Sequence, residues 1–351
     1  MSVSSWNDAP PRPPAEVLAW SRALLDPALR AAVDDLPAAT RDIAAFHFGW
    51  RDAEGRPASG DAGKAVRPAL TLLSAAAVGG TAAAALPAAV AVELAHNFSL
   101  LHDDVMDGDV TRRHRPTAWT VFGSNAAILA GDALLAGAFE ALAGGPAPAS
   151  SVRTLGRAVL ELVEGQGEDL SFERRAEVPL AECLAMAGRK TGALLGAACA
   201  LGAALGGADA NAEGIALRAE RLGSFGERVG LAFQLADDLL GIWGDPDVTG
   251  KPVHSDLRNR KQSLPVVAAL ESGTPAGDEL AVLYRRGDPL ADTDAARAAA
   301  LVEAAGAREW AARKADALCA AALTDLDAAD PVPTVAAELR ALAHMLTHRD
   351  H

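Results

Sequence analysis

The chain has 351 residues, half of them apolar, with aromatics at 4% and charged residues at 22%. That is enough to bury a large core, and an alanine-rich, aromatic-poor mix favours packed helices over strands. A formal net charge of −14 argues against a nucleic-acid footprint, because phosphate backbones are held by clustered Lys and Arg, so an anionic ligand would need a local basic patch.

The opening MSVSSWNDAPPRPP lacks a basic start followed by an apolar stretch and does not read as a signal peptide; residues 1–14 are expected as a disordered Pro-rich tail. From Glu16 to Ala32 the spacing of Leu18, Leu24, Leu25 and Leu29 is helical and opens the folded part. RDAEGRPASGDAG at 51–63 is polar and Gly-rich and reads as a loop, with a helix opening at Lys64. A long helix is expected from Ala82 to about Asp107, Pro87 being tolerated in its first turn. Further loops are signalled at 144–150, 206–211 and 244–252. With no period-two segment, no repeat and no linker, the expectation is one all-α domain over residues 15–351, a single bundle of long antiparallel helices around a central cavity.

Residues 68–92 and 191–208 carry no charge, but Gly79, Gly80 and Pro87 interrupt the first and Ala and Gly dominate the second, so both read as buried core helices rather than membrane spans. Cys183, Cys199 and Cys319 have no CxxC spacing and sit among Ala and Leu, which indicates neither a zinc site nor a disulfide framework. A reducing cytoplasm is the expected location.

The strongest chemical signal is LLHDDVMDGDVTRRHRP at 100–116, where Asp103, Asp104 and Asp107 form a DDxxD at a helix end. Residues i and i+4 share a helix face, so Asp103 and Asp107 project carboxylates to one side at a spacing that suits hard Mg²⁺ ions. Alone, such a cluster in an acidic protein reads more readily as a solvated helix end. A second cluster changes that: FQLADDLLGIWGD at 233–245 sets Asp237 and Asp238 inside an apolar helix, where adjacent carboxylates need a partner such as a metal. The two clusters are expected to face each other across the bundle cavity and grip a bridging diphosphate. Basic residues complete the set: Lys64 and Arg67 in GKAVRP, Arg112 and Arg113 after the first cluster, Lys190 with Thr191 in RKTG, Lys251 in GKP and Lys261 in NRKQSLP. Each alone would be an ordinary surface charge; together they supply two sets of phosphate ligands.

These ordered motifs, GKxxRP, DDxxD followed by RRxxRP, GQxxDL at 165–170, KTG, and FQxxDDxxGxxGDxxxxGKPxxSDL, resemble the trans-isoprenyl diphosphate synthases, or polyprenyl synthetases, from about Gly63 to Leu270. The resemblance implies that Asp103, Asp107 and Asp237 bind three Mg²⁺ holding an allylic diphosphate, with Asp104 and Asp238 completing the aspartate pairs. It assigns Arg112, Lys190 and Lys251 to the same diphosphate, and Lys64, Arg67, His96 and Arg113 to isopentenyl diphosphate. Thr191 and Gln234 match residues lining the cavity near the forming cation. By itself His96 would read as a core histidine. In this family a single aromatic five residues before the first motif, with none at four, accompanies a twenty-carbon product. Phe98 and Ser99 have that pattern, implying geranylgeranyl diphosphate. A homodimer is also implied, without a transmembrane segment and without a nucleic-acid partner.

Three features depart from the pattern: Gly241 stands where many relatives carry the last Asp of the second motif, Ala62 replaces the first Gly of GGK, and RNRKQS at 258–263 is unusually polar. Two other functions stay open at this level. A class I terpene cyclase would share the fold but need no isopentenyl site, and a non-catalytic partner subunit would not need both aspartate pairs.

Overall fold

A computed structural model describes residues 10–60, 63–144, 149–172, 174–175, 177–207, 212–245, 253–285 and 289–348. Residues 1–9, Ala62, Lys251 and parts of the expected loops (145–148, 208–211 and 246–252) lie outside them. In chain order the helices are α1 (Pro14–Asp34), α2 (Ala38–His47), α3 (Val66–Ala77) and α4 (Ala82–Asp107), followed by strands β1 (Thr111–Arg112) and β2 (Arg115–Pro116). Then come α5 (Ala118–Phe122), α6 (Ser124–Ala143), α7 (Ala149–Phe172), α8 (Leu180–Ala187), a π-helical turn (Gly188–Gly192), α9 (Ala193–Gly206) and α10 (Ala212–Trp243). The rest is α11 (Ser255–Arg258), α12 (Leu264–Leu270), α13 (Pro275–Tyr284), α14 (Asp292–Ala304), α15 (Ala307–Ala328) and α16 (Pro333–Thr347). The protein is all-α.

Two compact units are distinguished: one holds residues 1–157, 197–223 and 326–339, the other 158–196, 224–325 and 340–351. In the first unit α4 is the central element, packed on α6 and α3. Thr81 caps its start by accepting a hydrogen bond from the Ala84 N–H, and Gly108, at φ 69°, ends it in the left-handed conformation that glycine adopts without a Cβ penalty. Between those signals, small and aliphatic side chains such as Ala85, Ala88, Ala91, Val92, Leu94 and Ala95 are buried on every side. Helix α9 approaches α3 backbone to backbone: a methyl on Gly202 would lie 2.0 Å from the Thr71 carbonyl oxygen. Near the start of the chain, Arg12 makes a two-pronged ion pair at 2.7 Å with the buried Glu338.

In the second unit one core cluster joins Phe172, Cys183, Leu235, Leu239, Leu264 and Val267, and another joins Ile242, Leu257, Val266, Leu280, Leu283 and Val302. Helix α3 opens two residues after the expected Lys64, because Ala65 sits in the left-handed region at φ 49°. The 68–77 segment is buried, as expected of a core helix. By length and composition α4 and α6 could each cross a membrane; the apolar stretch of α4 is 72% buried within the protein, that of α6 33%. The segment at 111–116 forms a two-stranded hairpin that no alternating pattern announces, since each strand has only two residues.

Candidate active site

The last turns of α4 carry the first carboxylates. Asp107 is exposed and Asp103 half-buried, and the two stand one turn apart on one face, as hard oxygen donors to a common ion would. Asp104 turns inward at 1% exposure, where its Oδ1 accepts a 2.7 Å hydrogen bond from Arg112 Nε and its Oδ2 has no donor among the described residues. Burial, only partly offset by Arg112, pushes the Asp104 carboxyl up to about 6. The hydrogen bond between Arg112 and Asp104 thus ties the helix end to the hairpin.

That hairpin turns on Arg113 and His114, both at positive φ (52° and 59°). Two-residue turns of this kind normally take Asn-Gly, and side chains here store strain of about 1–3 kcal/mol each. The surroundings hold it in place. Arg115 Nη2 donates to the Phe46 carbonyl at 2.6 Å and its guanidinium lies over the Phe46 ring. The Arg113 guanidinium fills the space beside Gly63, where an added Cβ would fall 2.2 Å from Nη2. The glycine of GKxxRP is explained first by its φ of 86°, a backbone conformation that residues with a side chain rarely adopt, and second by the room it leaves for the Arg113 guanidinium.

The basic groups of this unit crowd one another. Burial first, then Arg113, draws the Arg67 guanidinium down to about 10 despite the opposing Glu93. Burial first, then Arg67, Arg113 and Arg112, holds His96 well below its ordinary value, and burial with Arg112 and Arg113 brings His47 down to about 3. Both imidazoles are neutral near pH 7, and His47 Nε2 is 3.1 Å from Asn97 Oδ1. Mutually repelling cations gathered at one place form a preorganised anion site. The predicted Arg67, His96, Arg112 and Arg113 are brought together. Phe98 and Ser99 are buried on α4. The Phe98 ring packs edge-on to His102 at 5.6 Å, and His102 lies against Gly131 of α6. Ser99 Oγ donates to the His96 carbonyl at 2.8 Å, on the same face of α4 as Asp103.

In the second unit a pocket of about 150 Å³ gathers Asp169, Lys190, Thr191, Gln234, Asp237, Asp238 and Lys261 among its lining. Asp237 is exposed, whereas Asp238 is 3% exposed and accepts from Gln234 Nε2 at 2.8 Å and from the Leu264 N–H at 2.9 Å. Gln234 in turn accepts from Thr191 Oγ1 at 2.8 Å, so one hydrogen-bond chain runs Thr191–Gln234–Asp238. Burial pushes Asp238 up to about 6 against the pull of Lys261. Burial alone would lower Lys261, but Asp238, Asp256, Asp169 and Asp237 outweigh it and hold the ammonium firmly charged. Lys190 and Thr191 stand on the π-helical turn, a distortion frequent at functional sites. Lys190 Nζ pairs with Asp169 at 2.5 Å. Gly165 and Asp169 share a face of α7; a Cβ on Gly165 would meet the Lys190 backbone nitrogen at 2.5 Å. GQxxDL therefore combines close approach with an ion pair.

Gly241 has a structural reason: Asp256 Oδ2 lies 2.2 Å from where its Cβ would stand. The carboxylate missing at 241 is matched by one reaching in from SDL. Asp169, Asp256 and Glu93 were not singled out from the sequence. The first two lie inside quoted motifs, but their partners are distant in the chain and no local pattern reveals the pairing. Lys251 lies outside the described residues.

An all-α enzyme with carboxylates and cations grouped in this way is of the class that handles prenyl diphosphates. The polyprenyl synthetase family model matches residues 57–302. The (2E,6E)-farnesyl diphosphate synthase of Mycobacterium tuberculosis is 43% identical, covering 97% of each chain. The geranylgeranyl diphosphate synthase of the same organism is 46% identical, covering 94% of this chain and 92% of its own. The crystal structure of a polyprenyl synthetase from Streptomyces coelicolor A3(2) superposes with a TM-score of 0.89 at 48% identity, over 95% of this chain and 99% of that one. The chain belongs to the polyprenyl synthetase family, the trans-isoprenyl diphosphate synthases named by its motifs.

Proposed function

We propose that this prenyltransferase condenses isopentenyl diphosphate with an allylic diphosphate in a Mg²⁺-dependent reaction whose main product is geranylgeranyl diphosphate. The observation that carries the condensing activity is the gathering of Arg67, Arg112 and Arg113 around the neutral His96, since a cyclase has no second diphosphate to anchor. Both aspartate pairs are present, as a catalytic rather than a purely supporting chain requires. The half-buried Asp103 and the exposed Asp107 and Asp237 have the hard oxygen donors that suit Mg²⁺. When bound there, the ions supply positive charge that stabilises a departing diphosphate.

The chain's own residues do the rest. Arg112, Lys190 and Lys251 neutralise the allylic diphosphate as its C–O bond ionises, with Asp169 aiming Lys190. Asp104 and Asp238 orient their neighbours through Arg112 and Gln234. The Thr191–Gln234 dipoles stand beside the carbocation. Lys64, Arg67, His96 and Arg113 anchor isopentenyl diphosphate so that its double bond attacks the cation, and a proton then leaves to the released diphosphate. Residues 15–351 work as one catalytic domain in a cytoplasmic enzyme, and its action as a homodimer is supported by the exposed Ile128 and Leu129 on the apolar α6.

Product length follows from α4. Phe98, buried and braced by His102, stops the chain, while Ser99 leaves room that a second ring would fill. The test is to supply purified enzyme with Mg²⁺, isopentenyl diphosphate and each allylic diphosphate in turn and size the products. Twenty carbons are expected from the wild type, longer chains from Phe98→Ala and shorter ones from Ser99→Phe. A fifteen-carbon end product would make the enzyme a farnesyl synthase, and unchanged lengths in both variants would move the floor away from α4.

A further inference from the structure

Outside the carboxylate clusters, the second unit brings together a set of ligands of different chemistry. Cys319 on α15 is buried and reduced. His344 in the last turn of α16 and His348 just past its end are four residues apart, and the His348 N–H donates to the His344 carbonyl at 2.8 Å, which carries the helical spacing on to His348. Sγ of Cys319 and one nitrogen from each imidazole all lie within 4.8 Å of one another, Sγ being 4.0 Å from His344 Nδ1. The two rings are 5.3 Å apart between centroids. Asp316, three residues before Cys319 on the same face, places Oδ1 3.0 Å from His348 Nε2.

We propose that Cys319, His344 and His348 form a binding site for a divalent transition ion of the zinc type. Tetrahedral zinc with bonds of about 2.0–2.3 Å sets its donors about 3.3–3.6 Å apart, a spacing that small rotations of the two exposed imidazoles reach from the present arrangement. With Asp316 orienting His348 through Nε2, the ligand atom is Nδ1, which exchanges its 2.9 Å contact with Thr347 Oγ1 for the ion. One thiolate and two imidazoles select zinc-type ions and disfavour Mg²⁺, which takes oxygen donors, so the site is chemically separate from the aspartates of the reaction. The thiol proton goes to solvent on binding. The bound ion ties the C-terminal turn of the chain to α15 and stabilises the fold without entering the chemistry.

Untagged full-length enzyme, kept in saturating Mg²⁺ to occupy the aspartates, is titrated with Zn²⁺ and, separately, with Co²⁺ as a spectroscopic stand-in. One Zn²⁺ per chain is expected, with a rise in melting temperature, and Co²⁺ should give a thiolate-to-metal charge-transfer band in the near ultraviolet. Cys319→Ser should abolish that band while leaving turnover in Mg²⁺ unchanged. His344→Gln and His348→Gln, at exposed positions that do not threaten folding, should each weaken Zn²⁺ binding by at least ~10-fold, and Asp316→Asn by about 10-fold. Absence of a charge-transfer band in the wild type, or Zn²⁺ affinity unmoved by the histidine changes, would overturn the proposal.

Discussion

Replacing Gly165 by Ala tests how α7 positions Lys190. The added Cβ would stand 2.5 Å from the Lys190 backbone nitrogen and 3.0 Å from its Cα. Backbone cannot swing aside as a side-chain tip can, so the π-helical turn must retreat by about 1 Å to restore ordinary contact. Gly167, two residues on in the same helix, has nothing within 4 Å of its would-be Cβ and serves as the control. Each substitution gains about 0.5–1 kcal/mol of helix propensity, but only Gly165→Ala incurs an overpacking cost of about 1–3 kcal/mol. That cost is the expected stability difference between the two variants, measurable as a separation of several degrees in melting temperature. A displacement near 1 Å of a residue that grips substrate should also lower turnover up to ~100-fold. Melting curves and steady-state kinetics, run side by side, check both. If Gly165→Ala melted with Gly167→Ala and turned over like wild type, the close approach of α7 to Lys190 would be wrong.

Chelation of divalent ions should abolish activity and Mg²⁺ should restore it, while Asp103→Ala or Asp237→Ala should cost at least ~10³-fold in kcat; full turnover in chelator would remove the mechanism. Arg113→Ala should chiefly raise KM for isopentenyl diphosphate, and Lys190→Ala that for the allylic partner; the reverse pattern in initial-rate kinetics would refute the division of basic residues. Gly241→Asp, which restores the commoner DDxxD, should impair rather than improve the enzyme. Its Cβ would meet Asp256 Oδ2 at 2.2 Å, and displacing that carboxylate should cost about 1–3 kcal/mol in a denaturant titration. Adding Asp256→Gly should recover part of the loss, whereas a single variant as stable and active as wild type would show that Asp256 does not fill that slot.

Much of this protein could be read from the order of its residues alone, for an identifiable reason. Helix α4 is legible because its signals are local: Thr81 before it, Gly108 after it, and between them a stretch rich in small and aliphatic residues ending in carboxylates one turn apart. Asp103 and Asp107 share a face whatever the rest of the chain does. The same holds for His344 and His348, although nothing near them in sequence says that a thiol lies opposite. Tertiary structure alone decided which carboxylates became buried supports and which stayed exposed. Asp104 and Asp238 turn inward because Arg112 and the Leu264 N–H are there to receive them, partners 8 and 26 residues away. It also decided the strained turn at Arg113 and His114, where local preference for Asn-Gly is overridden by the anchoring of Arg115 on α2 and by the open space beside Gly63. The charge on Lys261 and the gathering of Cys319 with two histidines have the same origin. Periodicity is a property of neighbours along the chain, but burial and charge depend on whatever folding brings alongside.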